Sequence, residues 1–265
     1  MPLCSRTLEY RVKSSGQSVL IALFAAILLI SSVAHGEDRQ PNRLARYNFL
    51  SRDADGFVPI TGGDDLNLWK GLPGYWYADH RVLGGHQSLE TSKHTFLILP
   101  FEVRDFELHL KYRFTSPEGN SGIQFRSKVL DYSTYRVSGY QADFDATGNF
   151  DGSIYEEGGR GGLSARGEKT RWDAENRRTS TFLADGRELL RAINVGDWNE
   201  VVLVALGNRI TYAINGRVMT ELIDESPNAA AAGIIALQLH EGIAMDVQFK
   251  DGRIKVLKGS KIDRP

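Results

Sequence analysis

The chain has 265 residues, with 32 basic and 33 acidic side chains, 10% aromatic residues, 27 glycines and one cysteine. A net charge near zero excludes any global attraction to nucleic acid or an anionic membrane. The lone Cys4 excludes a disulfide framework and a thiolate metal site, and the aromatic and glycine content suits an all-β chain with many turns.

Taken in order, the chain begins with Arg6, Arg11 and Lys13 ahead of an apolar run, Val19 to Ile30, that is too short to span a bilayer comfortably. Ser32-Val33-Ala34 follows, with small residues where a signal peptidase cuts, so residues 1–34 read as a signal peptide cleaved after Ala34. The expectation is a secreted, periplasmic or cell-surface protein with no stable membrane span after processing. Residues 35–54 are polar, mixed in charge and without a period, and read as a linker. The expected domain is 55–258, followed by a tail, 259–265; about 230 residues suffice for one all-β domain.

Strand signals then recur. Phe106 to Phe114, "FELHLKYRF", alternates apolar residues with Glu107, His109, Lys111 and Arg113, as a half-buried strand does. "NSGIQFR" (120–126) sends Ile123 and Phe125 to one face and Asn120, Gln124 and Arg126 to the other. "VSGYQADFD" (137–145) opposes Tyr140, Ala142 and Phe144 to Gln141, Asp143 and Asp145. The glycine-rich, charged stretch 156–178 fails as a phosphate loop, because Glu168 stands where a Lys should follow Gly167; it reads as a long loop, a lid over the sheet. Glu156, Glu157 and Arg160 at its base read as substrate contacts or as solvated charges. "WNEVVLVAL" and "RITYAING" form a hairpin through Gly207-Asn208, and Asn215-Gly216 marks another tight turn. "GIIALQLH" (233–240) opposes Ile235, Leu237 and Leu239 to Ala236, Gln238 and His240, and 245–257 closes the series. Many short strands, no amphipathic helix and no fixed repeat predict an all-β, two-sheet antiparallel jelly-roll sandwich.

Exposed strand faces usually carry Lys, Glu, Thr and Arg. A face built from Asn120, Gln124, Gln141, Asp143, Gln238 and His240, with small neighbours Gly122, Gly139 and Ala236, is better suited to hydrogen-bonding a polar ligand.

Together with "FVPITGGDDLNLWKG", "WYADHRVLGG", "GSIYEE" and "VQFKDGRIKVL", these motifs resemble, in order and over roughly residues 55 to 258, the 3-keto-disaccharide hydrolase domain family. The resemblance implies a concanavalin-like jelly roll and a carbohydrate substrate oxidised at carbon 3. A 3-keto group acidifies the hydrogen on carbon 2, so a base can remove it, the carbon 1 substituent leaves by elimination, and water adds back. The resemblance places Asn120, Ser121, Gly122, Arg126, Gln238 and His240 at family positions. It implies His240 or Asp143 as base, Arg126 or a bound cation as enolate stabiliser, and Tyr155 as proton donor. Gln124, Gln141 and Trp172 join Asn120 and Gln238 as substrate-binding residues. The family's glycine-tyrosine-glutamate reads Gly139-Tyr140-Gln141 here. Where that glutamate serves as ligand or base, the role passes to Asp143 or the activity differs.

Two alternatives stand beside this. A non-catalytic carbohydrate-binding module would use aromatic platforms; of Trp69, Trp76, Trp172 and Trp198, the last reads as core, Trp76 as packing, and Trp172, in a polar loop, as the exposed stacker. A two-carboxylate glycosidase needs acids roughly 5 to 9.5 Å apart, and the Glu-x-Asp-x-x-Glu strand of laminarinase-type jelly rolls is absent. Asp143-x-Asp145-x-Thr147-Gly148 starts like a calcium loop but has Ile154 at its twelfth position. A divalent cation held by Asp143, Gln141 and His240 and a metal-free hydrogen-bonded cluster remain equal readings. No nucleotide cofactor is expected. His80, His86, His94 and His109 share no ligand spacing and read as surface or turn residues.

Overall fold

The computed structural model describes residues 52–257; the expected signal peptide, most of the linker and the tail lie outside them. Sixteen strands follow in chain order: β1 (Val58–Pro59), β2 (Trp76–Asp79), β3 (Val82–Gln87), β4 (Thr95–Val103), β5 (Phe106–Phe114), β6 (Asn120–Asp131), β7 (Arg136–Asp145) and β8 (Ile154–Glu157). The remainder are β9 (Gly161–Ser164), β10 (Glu168–Trp172), β11 (Arg178–Phe182), β12 (Asn199–Leu206), β13 (Arg209–Ile214), β14 (Arg217–Asp224), β15 (Gly233–Leu239) and β16 (Met245–Val256). Among the described residues there is one short helix, α1 (Gly186–Leu190), capped by Asp185, which accepts from the backbone N–H of Arg187 and Glu188. None of the described helices is long and apolar enough to cross a membrane.

The strands form two layers. A ten-stranded sheet runs β11-β10-β14-β13-β12-β5-β16-β3-β2, with β1 on β16, and a six-stranded sheet runs β4-β15-β6-β7-β8-β9. The pairs are antiparallel except β10 with β14. Alternation does the sorting: β5 buries Phe106, Leu108, Leu110, Tyr112 and Phe114 and leaves the residues between them half-exposed. Leu203, Phe249 and Tyr212 meet Phe125, Tyr140, Phe144 and Leu237 of the other sheet in one core. Fully burying such a side chain contributes about 1.5–3 kcal/mol, so this interior fixes the register of every strand carrying it. Asn215 and Gly216, at φ of 48° and 74°, make the two-residue turn that joins β13 to β14 with the twist such hairpins need.

The six-stranded sheet is also buried on its outer side. Gln124, Gln141 and Gln238 there are 0%, 3% and 1% exposed, and a small cluster of Phe96, Ile98, Val137, Ile234 and Ala236 lies beside them on β4, β7 and β15. An amide surface in so dry a setting must satisfy its own hydrogen bonds.

Two expectations for the stretch 156–178 are corrected. It is no lid: β9 continues the small sheet and β10 joins the large one. Trp172 ends β10, donates from Nε1 to Leu163 O at 3.1 Å and carries the Arg160 guanidinium 4.9 Å over its ring. It is a packing residue and not an exposed stacker. Trp198, expected in the core, is instead half-buried between Arg113 and Lys250 on the outer side of the large sheet.

Candidate functional site

Register builds the site. Gln124 pairs with Gln141, Gly122 with Asp143 and Asn120 with Asp145 across β6 and β7. Gln141 pairs with Tyr155 and Gly139 with Glu157 across β7 and β8, and Ala236 pairs with Gln124 across β15 and β6. Residues directly opposite share a face, so Asn120, Gln124, Gln141, Asp143, Tyr155, Glu157 and Gln238 converge on the outer side of the small sheet.

Their side chains form a continuous network. Ser127 Oγ donates to Gln124 Oε1 at 2.6 Å, and Gln124 Nε2 donates to Gln141 Oε1 at 2.9 Å. Gln141 Nε2 in turn donates to Asp143 Oδ1 at 2.7 Å and to Gln238 Oε1 at 3.1 Å. Gly122 makes room for this: a Cβ there would lie 2.6 Å from Gln141 Cγ and 2.9 Å from the Ala142 carbonyl oxygen, inside van der Waals contact.

Titratable side chains border these amides. His94 Nε2 lies 3.4 Å from Glu157 Oε1 and 3.5 Å from Gln238 Nε2. Its ring meets that of His240 edge-on, centroids 5.3 Å apart. The His94 contact holds the Glu157 carboxyl below its ordinary range. Burial pushes Asp143 up to about 7, against the opposing pull of its bonds from Gln141 and Ser153. His240 Nδ1 donates to Glu241 O at 2.8 Å, which leaves Nε2 as the acceptor nitrogen. Tyr155, 39% exposed, presents its ring beside Gln141.

Arg126 does not share this face, contrary to the strand alternation. A bulge between Phe125 and Lys128 interrupts the register, and Arg126 adopts φ 48°. Its guanidinium turns to the end of the sandwich, donating to Arg104 O, Gly207 O, Ala230 O and Asp105 Oδ1 at 2.8–3.3 Å. At 2% exposed it binds loops together; it is no enolate stabiliser. Glu156 and Arg160 likewise lie elsewhere, in a buried ion network with Asp224 and Tyr140. Conversely, His94, expected as a surface or turn residue, and Glu157 belong to the site. Cross-strand parity of Glu157 with Gly139 was the signal available for one of them; His94 precedes β4 and carried none.

The expected cation set is Asp143, Gln141 and His240. Gln141 directs its amide nitrogen at Asp143 and spends its oxygen on Gln124, so it turns a donor, not a ligand atom, towards the carboxylate. Among the described residues, no group of three or more His, Cys, Asp or Glu side chains is arranged to hold a metal ion. Asp143, Gln141 and Gln238 bond one another directly in this network.

Fold and floor together define a class, a two-sheet jelly-roll domain with an amide-lined polar face. The chain belongs to the 3-keto-alpha-glucoside-1,2-lyase-like domain family, whose model matches residues 56–255. No curated protein matches it. Among solved structures it is similar to a putative glycosyl hydrolase from Parabacteroides distasonis (15% identity, 78% of this chain and 96% of that one, TM-score 0.51). It is also similar to the carbohydrate-binding module CBM66 from Bacillus subtilis (14% identity, 71% and 95%, TM-score 0.49). The first likeness supports the fold.

Proposed function

We propose that the outer floor of the six-stranded sheet binds a 3-keto-glycoside and cleaves it by elimination followed by hydration. One observation carries this: a carboxyl that burial raises to about 7 and a histidine whose Nδ1 bonds a backbone carbonyl belong to the same polar patch as a row of buried amides. His240 Nε2 takes the proton from carbon 2, and the electron pair forms the carbon 1–carbon 2 double bond as the glycosidic oxygen departs. Protonated Asp143 gives that oxygen its proton, with the Tyr155 hydroxyl as a second donor. The amide N–H group of Asn120 meets the charge that develops on the 3-keto oxygen. Ionised Asp143 then takes a proton from water as hydroxide adds to carbon 1, and protonated His240 returns its proton to carbon 2. Atoms balance as net hydrolysis, and both groups are restored.

The test is incubation of the purified protein with a 3-keto-glucoside while following the ultraviolet absorbance of the unsaturated keto sugar. Asp143→Asn and His240→Ala should each lower kcat by about 10²–10⁴-fold; near-normal turnover in both would defeat the assignment. A second reading, a binding module without chemistry, is favoured by Gln141, whose amide cannot titrate. Calorimetry separates the two, since a module binds the 3-keto sugar and leaves it intact.

A further inference from the structure

A cavity of about 510 Å³ opens between the β5–β6 turn, the β7–β8 loop and the stretch that precedes β12. That size falls within the roughly 300–1,000 Å³ of ligand sites. Its wall is mixed: Phe114, Pro117 and Ile193 are apolar, while Ser116, Asn194 and Asp151 are polar.

Asp151 is the unusual member. It is 0% exposed; Tyr112 Oη donates to its Oδ1 at 2.8 Å, and its Oδ2 has no hydrogen-bond partner. An unsatisfied buried carboxyl oxygen costs stability, yet the loop holding it is firmly built. Asp145 accepts from the backbone N–H groups of Thr147, Asn149 and Phe150. Arg166 Nη1 donates to Gly148 O at 3.1 Å and to Asp151 O at 2.6 Å. The orphan oxygen is therefore imposed by the loop and is not a slack surface group.

We propose that this cavity is a second ligand site, for a neutral polyhydroxylated molecule of sugar size, with one hydroxyl completing the hydrogen bonding of Asp151 Oδ2. A hydroxyl suits the position because it donates to an ionised carboxylate and accepts from a protonated carboxyl. Burial brings Asp151 to about 7, so both forms must be served near neutral pH. An ammonium would serve only the ionised form, and Asp145, the other acid on the wall, already spends both oxygens on its own loop. The mixed wall offers apolar surface to C–H groups and amides to further hydroxyls. This proposal does not depend on chemistry at the floor.

The test is a titration of the ¹⁵N-labelled protein with glucose, and separately with ethanolamine as the cationic probe, following the amide signals of Ala146, Gly148 and Gly196. Glucose should give saturable shifts at these three positions. Asp151→Asn keeps an acceptor for Tyr112 and should weaken binding at least tenfold. Val195→Trp, at an 82% exposed position on the cavity mouth, should abolish binding without touching the core, whereas Asp143→Asn should leave it unchanged. Absence of saturable shifts would reduce the cavity to a hydrated void. Tighter binding of ethanolamine than glucose would overturn the ligand class, and an unaltered affinity in Val195→Trp would place the ligand elsewhere. Because the readout is binding, it stands whether or not the protein turns over a 3-keto-glucoside.

Discussion

Arg126 shows how a single residue separates a structural role from a chemical one. Its guanidinium is buried and pairs with Asp105 at 3.0 Å while tying three backbone carbonyls. Breaking such a buried pair costs about 3–5 kcal/mol. Arg126→Met should therefore lower the midpoint of urea unfolding sharply, with kcat/KM per folded molecule close to that of the unaltered protein. A selective loss of kcat in a protein of normal stability would return Arg126 to the site. The sequence could not reveal this, because strand alternation fails where a bulge adds a residue, and the bulge follows from long-range pairing of β6 with β15 and β7. Gln124, Gln141, Asp143 and Gln238 were legible, since an amide or acid opposite a core residue on a regular strand keeps its parity. His94 was not, because its place depends on which strand lies beside β15.

At the scale of elements, the β7–β8 connection links the two candidate sites. Asp143, on β7, faces the floor, and Asp151, eight residues on, stands at the cavity wall. Asp145 between them fixes the loop through three backbone donors. Asp145→Ala should leave the sandwich folded and speed hydrogen exchange at Thr147, Asn149 and Phe150, because those amides lose their acceptor. Unchanged protection there would mean that the loop is held from elsewhere. The misread segment 156–178 belongs to this scale also. Glycine and charge suggested a loop, but β10 is recruited by pairing parallel to β14, and such a non-local contact leaves no periodic trace in so short a strand.

At the scale of the molecule, the two-layer β architecture was legible because the apolar rows of β5, β12, β13, β15 and β16 each alternate and a sandwich is the arrangement that buries all of them. The same sandwich predicts an unusual pH dependence. Burial raises Asp143 and Asp151 to about 7 from 3.8, so between those values the folded protein holds protons that the unfolded chain has released. Stability from these groups must therefore fall as pH rises, by up to about 4 kcal/mol for each once ionised. Glu157 acts in the opposite direction: His94 depresses its folded pKa, so its contribution is present above the unfolded pKa and is lost as pH falls through the folded one. Asp224 has the same sign, the bonds from Arg160, Tyr140 and Ser226 outweighing its burial. The thermal midpoint should accordingly peak at acidic pH, decline from about pH 4 to about pH 7 and gain no further slope from these two groups up to pH 8. Replacing Asp143 and Asp151 together by Asn should flatten the decline and raise the midpoint at pH 8 relative to the unaltered protein. Calorimetry across that range decides the matter: a midpoint that climbs towards pH 8, or a slope unchanged in the double variant, would show that neither carboxyl is held protonated by the fold.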